Sequence, residues 1–264
     1  MLRSPLLPAA VVALISLTSA HAEPPKPDAA TVSAIAPSGV LRAAINLGNP
    51  VLAQKDAKGE LTGVSVALAK ALGQTLGVPV KLIPYEEAGV TATAGAKGEW
   101  DVAFLAIDPK RAEQIDFTVP YVVIDGTYMV PAASSFKTAA DLDRDGVTIS
   151  VATGAAYDLY LTRALKHATL VRAKNGAEAI ALFEQGKVQA TAGVGAALAS
   201  TAKGHTEWRV LSPGFQTIEQ AMATPKGRPD ALAYVGHYVQ AQKASGFVRR
   251  ALDDTGQKDA AVAP

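Results

Sequence analysis

Cysteine is absent from the 264-residue sequence. No disulfide framework, thiolate nucleophile, Cys-ligated zinc or iron–sulfur cluster can be built from it, and no lipid can be anchored on an N-terminal cysteine. Histidine is scarce and scattered, at His21, His167, His205 and His237, with no HExxH pair to suggest a zinc hydrolase. Charge of one sign is missing too: 25 Lys and Arg face 24 Asp and Glu. A nucleic-acid partner would call for a basic field or stripe, so none is expected. Long apolar runs are confined to the N-terminal segment. At 49% hydrophobic residues, intrinsic disorder is also excluded.

The N-terminal run has its own logic. Arg3 precedes an apolar stretch over residues 6–20, which ends in Ala20-His21-Ala22. A basic start, a short apolar core and small residues at −3 and −1 mark a secretory signal peptide over residues 1–22. Pro8, Ser16, Thr18 and Ser19 interrupt the stretch, so stable membrane insertion is not expected. Cleavage after Ala22 leaves 242 residues, with 24 side chains of each charge. Residues 23–35 are rich in Pro and Ala and read as a flexible leader. Folding is expected to begin near Gly39.

From there the chain alternates strands and helices. Residues 40–46, 78–85 and 100–107 read as strands; 64–76 reads as a helix with Val64, Leu68, Leu72 and Leu76 on one side and Gly77 at its end. Asp56–Gly59 suggests a hairpin turn, and the Gly- and Ala-rich residues 89–98 make a weak helix. A second unit is expected after Tyr121: strands at 127–131, 147–151 and 188–192, a helix at 157–165, and an Asn175/Glu178 capping box before a helix closed by Gly186. A strand at 219–224, a turn at 225–229 and helices at 230–243 and 247–252 complete the chain. The order favours an α/β fold with helices covering the sheet.

Three segments carry a resemblance: GELTGVSVALAKALGQTLG at 59–77, KGEWDVAFLAIDPKRAEQIDFTVPYV at 97–122 and GVTISVATGAAYDLYL at 146–161. With Pro-Lys-Gly at 225–227 and Ser-Gly-Phe at 245–247, they resemble family 3 extracellular solute-binding proteins, the receptors of polar amino-acid ABC importers. The pattern R-x-x-x-I-D-F-T-x-P-Y at 111–121 is its most specific part. The resemblance implies an α/β, two-lobed, type II periplasmic-binding-protein-like fold with a hinged interlobe cleft. Lobe 1 would comprise 36–123 plus 221–264, and lobe 2 would comprise 124–220. It implies a soluble periplasmic receptor that closes on a small carboxylated solute and delivers it to an ABC permease, with no cofactor.

By the same resemblance Arg111 occupies the position that clamps the ligand's α-carboxylate, a task suited to a planar fork of donors. Asp108, Phe104, Asn46, Tyr157 and Asp158 are further candidates, with the backbone of Gly154, Ala155 and Ala156 as a second carboxylate contact. Tyr121 and Tyr128 are possible apolar walls. Several expected contacts are missing: Ala106 and Asp108 stand where hydroxyls are common, Ala155-Ala156 replaces a hydroxyl pair, and Gly193-Val194 replaces the Gly-Asp whose acid pairs with a ligand ammonium. Asp158 or Asp125 could substitute. A cyclohexadienyl-dehydratase-like enzyme, using one of Asp108, Asp158, Asp125, Glu86 or Glu87 as an acid, and a periplasmic accessory protein of a dehydrogenase system are the alternatives. No metal site is expected: Asp141, Asp143 and Asp145 read as a solvated loop, and residues 153–156 lack the Lys-Ser/Thr of a nucleotide loop.

Overall fold

A computed structural model describes residues 26–264, so the expected signal peptide lies outside the described residues. Residues 29–35 of the expected leader form a helix. This helix, α1 (Ala29–Ile35), is capped by Asp28, whose side chain accepts from the Thr31 N–H at 2.7 Å. Ile35 then enters the core at 1% exposure. A cap and one apolar anchor outweigh the local composition, so order begins well before Gly39.

Strand β1 (Leu41–Asn46) is followed by a hairpin of β2 (Gln54–Lys55) and β3 (Leu61–Thr62), then α2 (Val64–Leu76), β4 (Val80–Tyr85), α3 (Ala88–Ala96), β5 (Val102–Ala106) and the single turn α4 (Pro109–Ala112). In α2 the apolar stripe Val64, Leu68, Leu72 and Leu76 is buried, and Gly77 ends the helix at φ 69°. The small residues of α3 have a packing reason. A Cβ on Gly95 would lie 2.3 Å from the ring of Trp100, which is fully buried and donates from its indole N–H to the Thr91 carbonyl at 2.8 Å. Behind it, buried Asp101 receives the Arg42 guanidinium at 2.7 Å and its backbone N–H at 2.9 Å, which ties the start of β1 to β5.

The second half begins with β6 (Ile115–Pro131) and a 3₁₀ turn at Ala139–Leu142. It continues through β7 (Thr148–Ala152), α5 (Ala156–Ala164), β8 (Thr169–Ala173), α6 (Gly176–Glu184), β9 (Ala190–Val194), α7 (Gly195–Ala202) and β10 (Trp208–Val210). The chain then returns through β11 (Gln216–Pro225), α8 (Pro229–Ala244), α9 (Phe247–Asp254) and β12 (Ala261–Val262). Asn175 caps α6 by accepting from the Glu178 N–H at 2.9 Å, but the Glu178 carboxylate reaches the Lys174 N–H rather than closing the expected box. The Asp141–Asp145 loop is tied down by its own acids. Asp143 accepts backbone N–H groups from Lys166, His167 and Ala168, and Asp141 those of Lys137 and Thr138.

One sheet runs β4-β1-β5-β11-β6-β9-β7-β8, with β10 and β12 also paired to β6. Parallel β4-β1-β5 and parallel β9-β7-β8 are the sheets of two α/β lobes. Antiparallel β6 and β11 join them. The strand expected only at 127–131 is thus 17 residues long. Pro120 lacks an amide donor, which argues locally against a central strand. The β11 register shifts at Gln220/Ala221, where the partners pass from Val122 to Pro120, and that irregularity accommodates the proline.

Candidate functional site

The cleft lies where the C-terminal ends of β1 and β5 face the N-termini of α5, α6 and α7, the usual place for ligands in α/β sheets. Arg111 enters it from α4, a turn started by Asp108 as cap and Pro109 at its first position. Its guanidinium is buried, with 4% of the residue exposed. Nη1 donates to the Ala106 carbonyl and Nη2 to the Gly154 carbonyl, each at 2.9 Å, while Nε is buried without a partner. Burial lowers the Arg111 pKa to about 10 against the opposing field of Asp108, so the cation persists at neutral pH.

Asp108 is 4% exposed and already committed. One oxygen accepts from the Lys110 N–H at 2.9 Å and the other from Arg163 on α5 at 2.8 Å. Asp158 is committed as well: it accepts from the Gly154 N–H at 2.8 Å and pairs with Arg172 at 3.0 Å. Asp158 therefore braces the loop around Gly154, and Asp108 ties α4 to α5. That loop makes a close backbone approach to α3, since a Cβ on Gly154 (φ +70°) would lie 3.2 Å from the Gly89 Cα.

A cavity of about 30 Å³ remains beside the arginine. Asn46, Ala106, Arg111, Ala155, Ala156 and Tyr157 line it. Gly48, Asn49, Ala88, Val194, Ile218 and Gln220 complete the wall, and sequence reasoning selects none of these six as a ligand contact. It is about the size of one water, whereas the neighbouring cavity of about 570 Å³ can hold a small organic molecule. Tyr157 and Val194 line both spaces; Asn175, Gly176, Ala196 and Ala197 place the first turns of α6 and α7 on the larger one. Burial raises the Tyr157 pKa to about 12, leaving a neutral hydroxyl.

The structure thus gathers Asn46, Arg111, Ala155, Ala156 and Tyr157, with Gly154 held by Arg111. Phe104 is elsewhere: it is 1% exposed in the core, edge-on to Tyr121 at 6.2 Å, because its position in β5 turns it under the sheet. Tyr121 bonds Ser65 at 3.2 Å, and Tyr128 packs on Phe215 at 4.5 Å between ring centroids. Asp125 is exposed. Gln220 has a legible signal, a long polar side chain that opens the buried run Gln-Ala-Met-Ala of β11. Among the described residues no group of three or more His, Cys, Asp or Glu could hold a metal ion.

Comparison with known proteins places this geometry. The amino-acid-binding protein AabA of Dichelobacter nodosus is 27% identical over 179 residues, which span 65% of this chain and 70% of that protein. The solute receptor for L-cysteine of Neisseria gonorrhoeae superposes with a TM-score of 0.75 at 27% identity, covering 85% of this chain and 92% of that one. An ancestral amino acid-binding protein described as a precursor of cyclohexadienyl dehydratase gives a TM-score of 0.73 at 26% identity, covering 85% and 98% of the two chains. Residues 41–254 match the bacterial extracellular solute-binding proteins, family 3, along nearly all of the ordered body, and the chain belongs to that family.

Proposed function

We propose that this chain is a periplasmic receptor that binds a small carboxylate-bearing solute by lobe closure and presents it to an ABC permease. Lobe 1 is taken as residues 36–123 plus 221–264 and lobe 2 as 124–220. The observation that carries the reading is Arg111: a buried cation at the junction of the two lobes, with an unpartnered Nε–H and no carboxylate bonded to it. A ligand carboxylate would supply the missing counter-charge and take the place of weaker carbonyl contacts. Energy gained on binding would come from both lobes at once, and so stabilise the closed form.

The test is a thermal-shift screen of small carboxylates followed by calorimetry on the wild type and Arg111→Ala. At least one carboxylate should stabilise the wild type, with affinity roughly tenfold or more weaker in the variant. Equal affinity in both proteins overturns the clamp. Mass spectrometry of solute released from the purified protein would identify the ligand directly.

A dehydratase role finds less support. General acid catalysis needs a carboxyl free to give a proton to a leaving group, whereas Asp108 and Asp158 are each held by an arginine and a backbone N–H. Product formation from a carboxylated cyclohexadienyl substrate would reverse that judgement.

A further inference from the structure

We infer that the solute is a carboxylate whose α-substituent is uncharged, such as an α-keto or α-hydroxy acid, and not an α-amino acid. This rests on the reading of Arg111 as the carboxylate clamp and narrows the ligand that the same site accepts.

The argument is a charge inventory of the cleft. Among the described residues around the cavity beside Arg111, the arginine is the only ionic side chain, and every other lining residue is neutral. Around the larger cavity one acid appears, Glu86, whose side chain is 67% exposed and pairs with Lys55 at 3.4 Å. The two buried carboxylates nearby, Asp108 and Asp158, are spent on Arg163 and Arg172. An ammonium closed in beside Arg111 would find no uncommitted buried anion, since Glu86 lies on the wall of the larger cavity, exposed to solvent and paired with Lys55. Removing the ammonium from water without a partner is strongly unfavourable.

The helix at the opposite wall adds to the bias. Val194 is the N-cap of α7, makes no side-chain cap, and is followed by a first turn without an acid. The unsatisfied N–H groups there carry partial positive charge, which disfavours a cation and suits an oxygen acceptor. The second observation is the partnerless, fully buried Nε of Arg111, which marks the anionic end of the ligand. Neutral hydrogen-bonding groups are available for an uncharged oxygen. The Asn46 Oδ1 accepts from the Gly48 N–H at 3.0 Å, which leaves its amide NH₂ to donate, and Gln220 and the neutral Tyr157 hydroxyl share the wall.

Calorimetry with matched probes tests this on the intact wild-type protein: alanine against pyruvate and lactate, and leucine against its α-keto and α-hydroxy counterparts. The keto or hydroxy acid of at least one set should bind about tenfold or more tighter than the amino acid, the factor expected when a charged group loses its partner. Amino acids binding as tightly or better would overturn the inference while leaving the receptor reading intact. If no carboxylate of any set, nor any other small carboxylate in the wider screen, binds, the receptor reading fails and this inference falls with it. Val194→Asp should move preference toward the amino acid, whereas Val194→Asn, which caps α7 equally without charge, should not. A shift of the same size with Asn would assign the effect to the cap and overturn the electrostatic account. Because the wild-type comparison needs no variant, a misfolded substitution does not shelter the proposal.

Discussion

Arg111 Nη2 donates to the backbone carbonyl of Gly154 at 2.9 Å, across the cleft and from a residue 43 positions away in the chain. One guanidinium therefore sits at the ligand end of one lobe and grips the loop of the other. Under the proposed function a bound carboxylate would compete with this contact for the same guanidinium, so binding and closure share one side chain.

Affinity for a carboxylate should accordingly hold from about pH 6 to about pH 9 and decline as the Arg111 cation is lost. Burial sets that pKa at about 10. Because the folded value lies below the usual 12.5, the cost of burying the charge is fully present below about 10 and is relieved between those values as pH rises. Binding and intrinsic stability should thus change in opposite directions with alkalinity. Arg111→Lys should weaken binding about tenfold or more, through loss of the planar fork, and its decline should begin at lower pH. Calorimetry across the pH series checks both.

Asp108→Asn keeps an oxygen able to cap α4 but discharges the partner of Arg163. The Arg163 side chain is 47% exposed, so solvent screening limits the loss from that pair to roughly 1 kcal/mol or less, and removal of the Asp108 field from buried Arg111 adds to it. The larger effect should be on shape: with one cross-cleft tie weakened, the unliganded protein should show a greater radius of gyration by small-angle scattering. Saturating ligand should restore the wild-type value.

Two glycines in contact should answer oppositely to alanine. Gly154→Ala forces a side chain onto a backbone at φ +70° and places its Cβ 3.2 Å from Gly89, and should cost about 1–2 kcal/mol with weaker ligand binding. Gly89→Ala meets Gly154 at an ordinary 3.5 Å and gains helix propensity in α3, so stability should stay level or rise by about 0.5–1 kcal/mol. Denaturant unfolding of the pair distinguishes them.

Acid should remove a stabilising contribution of Asp143 from the second half of the chain. Burial pushes its pKa up, but backbone N–H groups of Ala168, His167 and Lys166 outweigh that, and the folded value lies below 3.8. A depressed carboxylate contributes stability above its unfolded pKa and loses it as pH falls through the folded one. Asp143→Ala should therefore destabilise by about 1–2 kcal/mol near neutrality, and the gap to wild type should close below about pH 4. Thermal melts at stepped pH measure it.

Much of the fold is legible because its signals are local. The Val64-Leu68-Leu72-Leu76 stripe declares itself by period, and β5 by its continuous apolar run. The extent of β6 does not, since Pro120 reads as a strand breaker until the register shift opposite it is seen. Helix α1 is hidden by its Pro- and Ala-rich surroundings, with Asp28 as the overlooked cap. At the site, Arg111 stands out through the motif around it. The side chains that brace it do not: Asp108 and Asp158 meet Arg163 and Arg172 only through tertiary packing, and a sequence cannot show that a candidate acid is already taken. Phe104 is misplaced for a related reason, because nothing in an all-buried strand says which face meets a cleft.

The neck between the lobes has a mechanical consequence. Val122–Asp125 of β6 pair with Gln220–Thr217 of β11, and Val122 and Val123 pair on their other edge with Val262 and Ala261 of β12. Lys243 of α8 fastens that third strand, donating to the Pro264 carbonyl at 2.6 Å and to the Pro120 carbonyl at 3.1 Å. Strands stitched edge to edge resist sliding and shear, yet bend readily across their faces. The joint behaves as a leaf spring with essentially one soft direction. Under the proposed function, a solute in the cleft would be reported outward as more or less of a single bend.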